Sequence, residues 1–400
     1  MRNGSTGRVL ADRNARLYLS GVVVCGFGSA GLWLVAGVWV KSLTGSDSLA
    51  ALTVFAMWAP VLAGPVLGAL ADRTRRRPLL VRVNLGMAAL LPVLLLVDSG
   101  GRVWLVFAVL FVYGTAGAVQ DAAEAALLPR AVGKELLGDL NGLRMTAGEG
   151  MKLIAPLTGA ALFARFGAAP VVVLDAVTFA LAAGVFALLR VREEEPPERT
   201  GGEGASGTWE GARYVWRSAA LRPLVLAGAA AMGLAGLNGA VIHAVTDDVL
   251  GRPPAFTGVL YAAQGAGSVV GGVLAGPLLR RLGERRFMAT GIALFAVAVG
   301  GRALPCDVTA LVCGGLIGVG LPWVLVGVLT AVQHRTPDAV LGRTAATAQT
   351  LLFVPNALAL ALGAALVAVV DVRVLLPLLA AAGLVPAVAL LRRPGGPARP

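Results

Sequence analysis

Residues 68–80 read GALADRTRRRPLL: one acid, Asp72, then Arg73, Arg75, Arg76 and Arg77, set between two long apolar runs. A carboxylate there can accept from the free N–H groups of a helix N-terminus, where the macrodipole favours an anion by about 0.3–2 kcal/mol. The arginines can pair with acids elsewhere or hold anionic lipid at about 1 kcal/mol per charge. Other ionisable residues lie inside apolar runs. Glu149 and Lys152 are three apart and share a helix face. They either pair with each other or leave Glu149 to take up a proton. Asp121 and Glu124 have the same spacing, and Asp175 stands in VLDAVTFALAA (173–183). A charge at mid-bilayer costs at least about 2.5–3.5 kcal/mol, so Glu149, Asp121 and Asp175 are proton-coupling candidates. Each also has a structural reading: an ion pair for Glu149, pairing with the arginine loop for Asp121, and a hydrogen bond to a neighbouring helix for Asp175.

The elements that must position these groups are transmembrane helices. The 400 residues are 57% hydrophobic and 14% charged, against about 25% charged in soluble proteins, and the mean hydropathy is +0.79. Twelve runs are long enough to cross a core of about 30 Å: roughly 17–40, 49–71, 79–98, 103–123, 143–164, 169–190, 223–246, 257–279, 287–304, 308–330, 344–369 and 373–391. The formal net charge of +12 is spread unevenly. Alternate segments are rich in arginine, and the others hold only Lys41, Arg102, Arg165, Arg252, Arg302 and Arg373, one each. The positive-inside rule then places both termini in the cytoplasm of a multi-pass cell-membrane protein. It also accounts for the basic balance without a nucleic-acid partner. The first run exceeds a signal-peptide core and lacks a cleavage site, so it reads as retained.

Three cysteines, Cys25, Cys306 and Cys313, are too few for a disulfide framework. His243 and His334 lack partners at ligand spacing, so neither metal nor cofactor is expected. The phosphate-binding pattern G-x-x-x-x-G-K-[ST] and hydrolase motifs are absent, which argues against an enzyme. The stretch 192–207, rich in Pro, Glu and Gly, reads as a linker. The segment 209–223 that follows reads as a surface amphipathic helix anchored by Trp209 and Trp216. The expected domains are residues 1–190, a linker over 191–222, and residues 223–400.

The two halves repeat. GPLLRRLGERRFM (276–288) stands 208 residues after the first loop, and RTPDAVLGRTAATA (335–348) about 204 after RAVGKELLGDLNGL (130–143). The first loop resembles the major facilitator superfamily signature G-x-L-A-D-[RK]-x-G-[RK]-[RK] through Gly68, Leu70, Ala71, Asp72, Arg73, Arg76 and Arg77. Arg75 replaces the signature glycine, and Arg280 replaces the acid in the second copy. TGSDSLAALT (44–53), LGDLNGL (137–143), VLDAVTFALAA and VQHRTPDAVLGR (332–343) are similar to the macrolide-efflux branch of drug:proton antiporters.

The resemblance implies an all-α integral membrane fold, twelve transmembrane helices in two pseudo-symmetric six-helix bundles, the major facilitator fold. It implies a gate of Gly68, Asp72, Arg73 and Arg76, with Asp72 meeting the start of span eleven near Gly342 and Arg73 and Arg76 pairing with Asp121 and Glu124. From the helices that line the cavity in this superfamily, and from amides and phenols that lipid would leave unsatisfied, the substrate-cavity candidates are Trp33, Tyr113, Asn238, Gln264, Trp323 and Asn356. The expected function is proton-coupled export of a small amphipathic drug or antibiotic by a monomer in the lipid bilayer. The same fold exporting a siderophore, sugar or other metabolite is an alternative, and so is a lipid-handling protein.

Overall fold

The computed structural model describes residues 5–191, 193, 209–253, 256–367 and 369–392. Apart from Glu193, the linker stretch 192–207 lies outside them. The described residues hold helices and no strand. They are α1 (Ser5–Ala11), α2 (Arg13–Thr44), α3 (Asp47–Trp58), α4 (Gly64–Arg73), α5 (Arg76–Leu90), α6 (Val103–Ala131), α7 (Leu137–Phe166) and α8 (Ala168–Ala187). After the linker come α9 (Glu210–Arg217), α10 (Leu221–Ala240), the turn α11 (Ile242–Ala244), α12 (Phe256–Gly301), α13 (Asp307–Arg335), α14 (Leu341–Val367) and α15 (Val372–Arg392).

Ten helical segments among the described residues are long and apolar enough to cross a membrane. One of them, α12, is broken at Gly283 (φ 71°, ψ 160°) into two spans. With the thirty-residue α7, whose Glu149, Lys152 and Arg165 lower its hydropathy, the arrangement has twelve spans. Local chemistry sets the ends and joints. Asp12 caps α2 by accepting from the Ala15 N–H at 2.8 Å, and Gly45 closes it at φ 68°. α3 and α4 form one span through a 3-10 turn, Ala59–Ala63, where Pro60 removes a backbone donor, as Pro65 does in the first turn of α4. Large side chains such as Leu157, Leu358 and Val385 stand exposed on the helices, as lipid-facing residues do.

Two expectations change here. The 209–223 segment is not one helix: α9 stops at Arg217, and the Ser218 hydroxyl accepts from the Leu221 N–H to start α10. Trp209 and Trp216 are exposed on it. Arg302, read as a loop cation, is fully buried.

The chain forms two compact units. Unit 1 comprises residues up to 137, 147–214 and 333–350; unit 2 comprises 138–146, 215–332 and 351 onward. Inside unit 1, α2 packs on α8 and α5 on α8; inside unit 2, α12 packs on α15. Glycines permit the closest approaches, as is usual where helices associate in lipid by packing rather than by hydrophobicity. A Cβ on Gly68 would lie 2.7 Å from the Gly342 carbonyl oxygen and the Ala346 Cβ, so α4 and α14 meet with little between them.

Candidate functional site

Unit 1 gathers a charged cluster where α4 ends and α14 begins. The Asp72 side chain is fully buried. Its Oδ1 accepts from the Gly342 N–H at 2.7 Å, and its Oδ2 from the Arg343 N–H at 2.8 Å and the Arg343 Nε at 3.1 Å. Gly342 and Arg343 belong to the first turn of α14, whose N–H groups have no partner within the helix. One carboxylate therefore caps a helix 270 residues away in sequence. A side chain on Gly342 would displace it, since a Cβ there would sit 2.6 Å from Oδ1.

Arg343 links Asp72 to a third element. Its Nη1 donates to Glu210 at 2.7 Å on α9, and Tyr214 of the same helix donates to the Arg335 carbonyl at 2.6 Å. Arg76 stands 3.9 Å from Asp72 and donates to the carbonyls of Asp338 (2.6 Å) and Ala126 (3.3 Å). The Asp338 carboxylate meets Arg130 Nη2 at 3.0 Å. Gly68, Asp72 and Arg76 are thus brought together, while Arg73 is exposed. The pairing of Arg73 and Arg76 with Asp121 and Glu124 does not form. Arg76 is taken by main-chain carbonyls, and Glu124 is buried, accepting from Tyr18 (2.7 Å) and Gln120 (2.8 Å).

The turn at Arg75 needs no glycine. Thr74 (φ −125°) and Arg75 (φ −63°) are extended, and Arg75 stands just before α5. The second copy keeps Gly283 at this position and does use a positive φ.

Unit 2 carries a related contact with the charges exchanged. Arg280, at the position equivalent to Asp72, pairs with Asp139, which is equivalent to Arg343 by the 204-residue offset. Asp139 lies in the first turn of α7 and is buried. A Cβ on Gly276 would lie 2.6 Å from the Asp139 Cγ, so this crossing is as tight as that of α4 with α14.

The proton-coupling candidates fall in different settings. Asp175 is fully buried in α8, with Oδ1 3.3 Å from the Thr178 hydroxyl and Oδ2 without a hydrogen-bond partner among the described residues. Gly28 on α2 leaves room for it: a Cβ there would lie 2.5 Å from Oδ1. Tyr113 on α6 joins this cluster, donating to Ser29 at 2.6 Å and meeting Phe179 edge-on at 5.4 Å. Glu149 pairs with Lys152 at 2.7 Å on a partly exposed face. Asp121 is half-buried on α6.

Most cavity candidates are hydrogen-bonded to protein. Trp323 donates to the Gly271 carbonyl at 2.9 Å and stacks on Phe287; Asn356 donates to the Met232 carbonyl at 2.9 Å; Asn238 accepts from Arg302 at 3.3 Å. Gln264 is half-buried, and Trp33 is 45% exposed. The sequence reading missed Asp338, Glu210 and Arg302. The repeat offset offered one signal it left unused, the opposed charges at Asp139 and Arg343.

A family model described as Major Facilitator Superfamily matches residues 18–246, more than half of the chain. Over 331 residues the chain is 29% identical to an uncharacterized MFS-type transporter of Mycobacterium tuberculosis, covering 76% of this chain and 73% of that one. A stretch of 136 residues is 34% identical to the multidrug resistance protein MdtG of Serratia proteamaculans, covering 34% of this chain and 32% of that one. Among solved structures, a bacterial homologue of the iron transporter ferroportin in its outward-facing state matches with a TM-score of 0.78. It does so at 18% identity over 95% of this chain and 99% of that one, a likeness of fold. A twelve-span helical chain with this loop and these matches belongs to the major facilitator superfamily of membrane transporters and is not an enzyme.

Proposed function

We propose that the protein exports a small amphipathic compound, a drug or antibiotic, from the cytoplasm across the cell membrane by proton-coupled alternating access. The observation that carries the gating part is the Asp72 carboxylate seated on the first-turn N–H groups of α14. In this reading the arrangement is a latch that closes the cytoplasmic side, and its breakage accompanies opening toward the cytoplasm. Both termini lie in the cytoplasm. Asp175 carries the coupled proton: it is fully buried, its Oδ2 has no hydrogen-bond partner among the described residues, and Thr178 and Tyr113, itself bonded to Ser29, lie beside it. The partial similarity to a multidrug resistance protein supports the cargo class.

The test is transport in proteoliposomes with an imposed pH gradient, across cationic and neutral drugs, a sugar, a siderophore and a fluorescent lipid. Drug movement that collapses with the gradient in the wild type, and no longer responds to it in Asp175→Asn at equal incorporation, supports the reading. Transport indifferent to the gradient overturns the coupling, and movement of the sugar, siderophore or lipid alone overturns the cargo class.

A further inference from the structure

Where α10 begins and α15 ends, unit 2 has an open groove of about 390 Å³, within the ~300–1,000 Å³ of small-molecule sites. Its rim is polar. Arg222, the second residue of α10, and Trp216, near the end of α9, both line it and both are exposed. Among the described residues neither the Arg222 guanidinium nor the Trp216 indole N–H has a partner, so both are left to donate elsewhere. The wall beneath is apolar. Leu226 stands one turn further along α10, about 6 Å deeper at 1.5 Å per residue, and Pro386 and Leu390 of α15 line the same groove. Pro386 opens the space: inside α15 its ring crowds the Ala382 carbonyl and leaves it without its helical donor. Ala389 beside it fills little of the gap.

The charge here has one sign. Residues 215–223 and 384–392 carry Arg217, Arg222 and Arg392 and no acid. All three arginines are exposed, and none is held in an ion pair among the described residues. Next to the groove, Val385 and Leu391 stand exposed, as lipid-facing residues do. This combination selects among ligands. A cationic drug meets Arg222 with like charge. A free phosphate ion suits the arginine but leaves the apolar wall uncovered. An anionic amphiphile uses both, and arginine and tryptophan are the residues that anchor at the level of lipid head groups.

We propose that the groove between α10 and α15 binds one anionic phospholipid, its phosphodiester held by Arg222 and the first carbons of an acyl chain lying on Leu226 and Leu390. The bound lipid ties the end of α9 to the two helices. This needs the membrane placement of the fold and does not rest on the reading of cargo or coupling.

The experiment places the purified full chain in phosphatidylcholine nanodiscs and follows tryptophan fluorescence as phosphatidylglycerol, brominated near the head of its acyl chains, replaces the host lipid. Phosphatidylcholine brominated in the same way is the neutral arm. The quenching that disappears in Trp216→Phe reports on the groove. That part is expected to saturate, with a half-saturating mole fraction about fivefold lower for phosphatidylglycerol than for phosphatidylcholine, as one charge contact gives. Arg222→Gln removes the preference, and Ala389→Phe, which fills the groove, removes the saturable quenching. Arg392→Gln, which does not line the groove, leaves both. Equal quenching by the two lipids overturns the head-group site, and saturable quenching unchanged in Ala389→Phe overturns its placement. A preference lost as fully in Arg392→Gln as in Arg222→Gln shows diffuse attraction to the arginine-rich end and overturns the site. Relief of quenching by inorganic phosphate overturns the lipid in favour of the free ion, and relief by tetraphenylphosphonium overturns it in favour of a cationic drug.

Discussion

At the scale of single residues, Asp72 differs from its arginine neighbours in having two oxygens and using both. Each faces an N–H that α14 cannot satisfy itself, so charge and geometry act together. Asp72→Asn separates them. The amide keeps the shape but presents one NH2 to a backbone N–H, losing one bond and the full negative charge. A cap of this kind is worth about 1–2 kcal/mol, a shift of about five- to thirtyfold in a two-state balance. The expected outcome is transport slowed by at least that factor, with membrane insertion and expression unchanged. Both are read from initial rates and from the amount of protein in isolated membranes. Rates equal to wild type would remove Asp72 from the gate. Arg73→Gln serves as the internal contrast: its side chain is exposed and makes no ion pair among the described residues, so the rate should stay near wild type.

At the scale of elements, two tight crossings related by the repeat are α4 with α14 and α12 with α7, one in each unit, with the acid and arginine exchanged between them. The exchange matters because an arginine at position 280 cannot cap a helix as Asp72 does, and the cation must find its acid on the side chain of Asp139. A double-mutant cycle of Asp139→Asn and Arg280→Gln, followed by denaturant unfolding, should give a coupling energy of about 1 kcal/mol. The 36% exposure of Arg280 keeps it from being larger. Additive single effects would show that the contact contributes nothing. Helix number and the repeat were legible because hydropathy and charge are properties of the chain itself. The partners of the arginines were not. Arg76 donates to carbonyls, which every residue has, and no pattern of side chains announces that. Arg302 misled for a related reason: one arginine after an apolar run looks like a topology signal, and only tertiary packing shows it turned inward.

At the scale of the whole molecule, the alternation of arginine along the chain makes a claim about sides of the membrane that one native residue can test. Cys306 is exposed, whereas Cys25 and Cys313 are buried. By parity it lies between the ninth and tenth spans, on the face opposite the arginine-rich loops. Its thiol is held below the ordinary value by the Thr309 N–H, then by the Thr309 hydroxyl and the Val308 N–H, at the start of α13. A lower thiol value means more thiolate near neutral pH, so Cys306 should react with maleimide faster than an ordinary exposed thiol there. The rate should fall as pH drops through that lowered value. In intact cells a membrane-impermeant maleimide should therefore label Cys306 without permeabilisation, and Cys306→Ser should abolish the signal. A cysteine introduced at Thr74, in the first arginine loop, should label only after the membrane is opened. Labelling of position 74 from outside, or of Cys306 only after permeabilisation, would invert the topology and with it the side on which the Asp72 latch acts.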